Sequence, residues 1–177
     1  MKKLKYVILI VGIILISGYL YISLTPPVSP FEVVSYKKDT LQFEVQYSRP
    51  FKKDRIIFGS EPEALVPYGE YWRLGANSAT TFETNKEMNF GGEKIQAGKY
   101  RMFAIPDKEK WKVVLNSESG KFGYFEPNYE KNIISVNIST QPLLNSLEQF
   151  TISFEENENG LFLILKWDKT SVTITLI

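Results

Sequence analysis

The 177-residue chain contains no cysteine and no histidine. The first absence excludes disulfides, thiol catalysis, haem attachment and cysteine zinc sites. The second removes the commonest general base near neutral pH and the commonest metal ligand. Together they exclude Ser-His-Asp and Cys-His constellations, so any chemistry would have to run on carboxylates, lysines or tyrosines. No Gly-Lys-Ser/Thr phosphate loop and no Asp-x-Asp-x-Asp-Gly calcium loop occurs. The sequence therefore implies no metal and no cofactor. Charge excess is also missing, with 21 basic residues against 20 acidic ones. Setting aside Lys2, Lys3 and Lys5, which precede the first apolar run, leaves 18 basic against 20 acidic, a net of −2. A nearly neutral domain has no electrostatic footprint for nucleic acid, which excludes that partner.

What the chain does have first is a charge-free run, the 19 residues Tyr6 to Leu24, rich in Ile, Leu and Val. A helix needs about 20 such residues to cross a bilayer. Lysines before the run and none just after it predict a cytoplasmic N-terminus and an exported C-terminal domain. A cleaved signal peptide has an apolar core of about 7–15 residues and a small-x-small cleavage site. Ile22-Ser-Leu-Thr-Pro26 offers no such site, so the expectation is an uncleaved single-pass anchor over residues 1–24. Thr25-Pro-Pro-Val-Ser-Pro30 then reads as a short stiff spacer over 25–30.

From residue 31 to 177 the period is two. Leu41, Phe43, Val45 and Tyr47 alternate with polar residues, as do Trp111, Val113 and Leu115, then Phe150, Ile152 and Phe154, then Val172, Ile174 and Leu176. Turn signals fall at Gly91-Gly92, Asp107–Lys110, Glu155–Gly160 and Asp168-Lys-Thr170. No window carries a sustained helical stripe; Leu143–Leu147, opened by Pro142, has room for one helical turn at most. Short strands without crossover helices predict a single all-β domain, an antiparallel β-sandwich or jelly roll. Twelve Phe, ten Tyr and three Trp can fill its core without disulfide or metal.

The most distinctive stretches are Tyr47-Ser-Arg-Pro50, Arg55-Ile-Ile-Phe-Gly59, Leu65-Val-Pro-Tyr-Gly69 and Trp72-Arg-Leu-Gly-Ala-Asn-Ser-Ala-Thr80. Ala97-Gly-Lys-Tyr100, Phe103-Ala-Ile-Pro106 and Trp167-Asp-Lys-Thr170 follow them. Read in that order, these motifs resemble a bacterial envelope family known as domain of unknown function 2911, over roughly residues 30–177. The resemblance implies an envelope setting and brings no activity with it.

Six residues in these motifs are candidate ligand groups: Arg49, Arg55, Trp72, Arg73, Asn77 and Thr80. A planar guanidinium suits bidentate pairing with carboxylate or phosphate. The competing reading is that the arginines pair with Glu44, Glu70 or Glu83 and pin loops to the sheet. Aromatics beside Arg and Asn, here Tyr68, Tyr71 and Trp72, compose a small-ligand surface as readily as a core. Alternation places Trp72 in the core and Arg73 toward the rim. Gly75–Thr80 reads as a turn in which Asn77 takes positive φ, or as a loop whose amides hold a ligand oxygen. Glu61, Glu63, Glu70 and Glu83 are the carboxylates nearest the motifs, but none lies in an apolar setting suited to acid catalysis. Asp107, Asp168 and the Glu155–Glu158 run read as solvated turns. Phe122–Tyr129, with four aromatics, is either a ligand lid or a cover over one open end of the sandwich. Three functional classes follow: a non-catalytic binding module for a glycan or other polar or anionic envelope ligand, a carboxylate-dependent hydrolase, and a structural or protein-interaction domain.

Overall fold

Every run of alternating apolar residues forms a strand in the computed structural model, which describes residues 2–24 and 28–176. Much of the 25–30 spacer, residues 25–27, lies outside them. Strands β1 (Phe31–Lys38) and β2 (Leu41–Ser48) form a hairpin whose turn uses Asp39 at φ 51. After β3 (Phe58–Gly59) and β4 (Val66–Pro67) come β5 (Thr81–Thr84) and the small hairpin of β6 (Met88–Phe90) and β7 (Glu93–Ile95). Strands β8 (Gly98–Pro106), β9 (Lys110–Asn116), β10 (Asn132–Asn157) and β11 (Gly160–Thr175) complete the chain. Seven of them make one antiparallel sheet in the order β1-β2-β5-β8-β9-β10-β11.

This single sheet curls rather than dividing into the two stacked sheets of a sandwich. The device is β10, 26 residues long, whose first part pairs with β9 and whose remainder pairs with β11. Register shifts between Pro142 and Leu147 and between Leu147 and Thr151 bend it, as bulges do. Its far end comes back against the other side of the sheet. Phe150 N–H donates to the Pro50 carbonyl at 3.0 Å and Lys52 N–H to that of Glu148 at 2.6 Å. Glu156 accepts from the Tyr36 hydroxyl at 2.9 Å and from Lys38 Nζ at 2.6 Å.

The alternating residues fill the enclosed space. Phe43, Val45, Tyr47, Trp111, Val113, Leu115, Phe150, Ile152, Val172, Ile174 and Leu176 are all buried. At the centre Trp72 packs with ring centroids 4.9 Å from Phe150, 5.4 Å from Trp111, 5.5 Å from Phe58 and 5.8 Å from Trp167. Gly91 and Gly92 take positive φ at the β6–β7 turn, and Asp107–Lys110 and Glu155–Gly160 turn their hairpins as the sequence suggests.

Three local expectations are corrected. Leu143–Leu147 is part of the bent strand β10 and not a helical turn. Asp168-Lys-Thr170 is no hairpin turn, because β11 runs straight through it with a kink at Asp168, φ 50, opposite the bulge at Leu147. Nor is Asp168 a solvated acid, since it accepts from Ser146 Oγ at 2.6 Å and pairs with Lys52 Nζ at 3.3 Å.

Before the sheet, α1 (Lys2–Leu24) is a helix whose described large apolar side chains are exposed. Among the described residues no helix is long and apolar enough to cross a membrane. The side chains of Lys2, Lys3, Leu4, Ile8 and Ile22, within α1, fall outside them.

Candidate functional site: a cationic cleft beside the tryptophan cluster

The site begins with a short strand. β5 covers only Gly98–Arg101 of β8, which leaves the rest of that edge to the chain preceding β5. There Gly69 N–H donates to the Pro106 carbonyl at 2.8 Å, Trp72 and Ala104 exchange hydrogen bonds at 2.8 and 2.9 Å, and Met102 N–H donates to Thr80 at 2.8 Å. Between the last two anchors the chain has more residues than the straight edge can hold, and it loops outward. Leu74, Gly75 and Asn77 absorb the excursion at φ 55, 142 and 57. The loop is fastened inside by Thr80 Oγ1, which donates to the Leu74 carbonyl at 2.6 Å, and by Ala76 N–H, which donates to Ser48 at 3.2 Å.

This excursion forms one wall of a cleft of about 550 Å³, floored by Trp72 and Trp167. Lys53 and Arg55, from the chain after β2, line it together with Arg73 and Asn77 of the loop and with Val28, Ser29 and Leu65. No aspartate or glutamate lines it. Arg55 is exposed, its Nε donating to the Lys52 carbonyl at 3.1 Å and its Nη2 to that of Phe51. Arg73 is half-buried, lies 5.6 Å from the centroid of the Tyr124 ring and reaches the Asn77 carbonyl at 3.4 Å. Among the described residues neither arginine has a carboxylate within ion-pair distance.

Four of the six candidate residues thus meet in one place: Arg55, Trp72, Arg73 and Asn77. The other two are turned away from it. Thr80 is fully buried, holding the loop closed. Arg49 spans two strands, donating from Nη1 to Glu32 at 3.1 Å, from Nε to the Phe150 carbonyl at 3.2 Å and from Nη2 to Thr151 Oγ1 at 2.9 Å. Its partner is Glu32, not Glu44, Glu70 or Glu83. Glu32 also accepts from the Tyr47 hydroxyl at 2.6 Å, and burial together with this bond pushes the Tyr47 pKa well up.

The contrast between the two arginines gives a direct test. Arg49→Ala strips three hydrogen bonds and leaves a half-buried carboxylate, an expected loss of about 2–3 kcal/mol in denaturant unfolding. Arg73→Ala removes an unpaired cation at the rim and is expected to cost less than about 1 kcal/mol. Equal losses would make Arg73 a structural pin.

A cationic residue that sequence reasoning passed over lies on the outer face of β8. Arg101 is fully buried, with Nη2 donating to the Tyr71 hydroxyl and to the Phe125 carbonyl. Its Nε and Nη1 have no hydrogen-bond partner among the described residues. The available signal was the run Tyr100–Ala104, apolar on both faces but for Arg101, which means that a second layer covers the outer face. That layer is the segment 117–131. Tyr71 donates to the Gly123 carbonyl at 3.0 Å, and Phe103 lies 6.0 Å from Tyr129. The aromatic loop therefore covers the outside of β8 and β9, not an open end.

Glu118 fastens this segment. Its carboxylate accepts from Lys121 Nζ at 2.8 Å, the Asn128 amide at 3.0 Å and Lys131 Nζ at 3.1 Å. These bonds, that from Lys121 foremost, hold its pKa down at about 2, from an ordinary 4.5. Because the folded value is the lower one, the tie is complete above the ordinary pKa and is lost as pH falls toward 2. In an acid titration followed by NMR, the Asn128 amide shift is expected to move with a midpoint near pH 2. In Glu118→Gln that transition should vanish, and trypsin should cut after Lys121 faster at neutral pH. A midpoint near 4.5 would place Glu118 in free solvent.

The chain is thus an all-β domain with a positively lined cleft set against its aromatic core. It belongs to the family described as protein of unknown function (DUF2911), whose sequence profile matches residues 29–176. No curated protein matches the chain. No solved structure matches it either.

Proposed function

We propose that the protein is a membrane-tethered binding module, exported from the cytoplasm, which grips an anionic or polyhydroxylated envelope ligand in the cleft of Arg55, Arg73 and Asn77. One observation carries this reading: three cations, Lys53, Arg55 and Arg73, converge on a cleft that no carboxylate lines. Unneutralised guanidinium groups over an aromatic floor are the means by which a site takes a phosphate, carboxylate or acidic sugar. A hydrolase of the glycosidase kind needs two carboxylates about 5–10 Å apart, and the cleft supplies none, which favours the binding module. The tether rests on the uncharged run from Tyr6 to Leu24, the lysines before it and the described apolar side chains that α1 exposes. Residues 31–177 form the exported domain.

Because Trp72 and Trp167 floor the cleft, their emission reports its occupancy. Titration of the full chain in zwitterionic nanodiscs with inorganic phosphate or glucuronate is expected to give a saturable change in emission. The Arg55→Ala, Arg73→Ala double variant should lose that response while keeping its circular dichroism. No saturable response to either probe, or a response that survives the double variant, overturns the reading.

A further inference from the structure

The walls of the cleft include the first described residues after the helix, Val28 and Ser29. Only residues 25–27 separate Val28 from Leu24, the last residue of α1. Four steps of chain reach at most about 15 Å, whatever their conformation. The cleft is therefore held by covalent geometry within reach of whatever surrounds the C-terminal end of α1.

Its margin is built for an interface. Val28 is 73% exposed and Leu65 is 41% exposed, both lining the cleft with the cations, and Ile56, which follows Arg55 in the chain, is 50% exposed. Exposed aliphatic side chains beside arginine and lysine suit the boundary between lipid headgroups and acyl chains. A soluble sugar or free anion gives no reason for that apolar margin. The domain as a whole carries a slight negative excess, so its positive cleft is a local feature that would orient the domain against a negative surface.

We infer that the occupant of the cleft is the phosphate headgroup of an anionic lipid in the bilayer that holds α1, so that the domain docks cleft-down on its own membrane. This rests on the binding reading above and on the tether. The phosphate pairs with Arg55 and Arg73, Lys53 adds charge, and Val28, Ile56 and Leu65 enter the headgroup layer. Tethering makes the encounter intramolecular, so the docked fraction depends on lipid charge and not on protein concentration. Each basic side chain near an anionic surface is worth about fivefold in that equilibrium.

The absence of native cysteine makes the test simple, because Leu65→Cys accepts a single polarity-sensitive fluorophore. The labelled full chain is placed in phosphatidylcholine nanodiscs with or without phosphatidylglycerol. Blue-shifted emission is expected only with phosphatidylglycerol, and reversal by salt. The added pair Arg55→Ala, Arg73→Ala should lower the docked-to-undocked ratio about 25-fold. Equal emission in both kinds of disc overturns the inference. If inorganic phosphate still perturbs the tryptophans in phosphatidylcholine discs, the binding reading stands and the lipid inference alone falls. If neither probe acts, both fall. A protein that alkaline carbonate strips from the discs removes the tether, and the lipid inference with it.

Discussion

Trp72→Ala is expected to be the most damaging single substitution in the cleft, at about 3–5 kcal/mol. Trp72 touches Phe58, Trp111, Phe150 and Trp167, and only 6% of it is exposed. Truncation to alanine leaves a void that these rings cannot close, because each is fixed by its own strand. For a chain of this size the loss corresponds to a fall in Tm of about 6–20 °C. Thermal unfolding followed by near-ultraviolet circular dichroism measures it. A fall below about 3 °C would mean that Trp72 is a surface platform for ligand and not the keystone of the core. Trp72→Phe should recover much of the loss, since an aromatic ring still meets most of the same partners.

Gly75→Ala is the second large effect. At φ 142 a side chain is strained, and the new Cβ would come within 2.5 Å of the Ser48 carbonyl oxygen, the same atom that accepts from Ala76. The loop would have to leave its seat, at a cost of about 2–3 kcal/mol. Gly69 supplies the control. Its φ is 84, but a Cβ there meets open space, so Gly69→Ala carries the conformational penalty alone, about 1 kcal/mol. Asn77→Gly should be tolerated by the fold, because φ 57 suits glycine. If Gly75→Ala and Gly69→Ala cost the same, the close approach to Ser48 is not what shapes the loop. The displaced loop should also weaken anion binding, since it carries Arg73 and Asn77.

The strands were legible because alternation is a local signal, and burial follows the expected parity at Phe43, Val45, Trp111, Val113, Ile152 and Ile174. How the sheet closes was not legible. That depends on where β10 bends, and Leu143–Leu147, opened by Pro142, reads as room for one helical turn at most, whereas the structure uses it within a bulged strand. Asp168-Lys-Thr170 reads as a hairpin turn but serves as a kink within β11. Turn residues also serve kinks in long strands, and only the partner strand decides which. The candidate residues divide along a similar line. Arg73 and Asn77 come together because one short loop carries them. Arg49 and Thr80 lie in the same motifs, but a long-range partner, Glu32, and an internal carbonyl, that of Leu74, claim them. Arg101 escaped notice because a lone charge in an apolar run ordinarily marks a solvated face, and its cover arrives from a distant segment.

The central ring cluster also imposes an order in time. Trp72 and Trp111 come from the middle of the chain, while Trp167, Val172, Ile174 and Leu176 belong to its last part. The roughly 95 residues from Trp72 to Trp167 take roughly 5–20 s to synthesise at about 5–20 residues per second. For that interval the middle strands have no complete interior to bury, and their aromatic faces stay available to any other apolar surface. The fold cannot mature piece by piece from its N-terminal side; it closes only when β11 arrives. Substitutions in β11 will therefore show first as lost yield, through aggregation of the unfinished chain, before any loss of affinity in molecules that complete the closure.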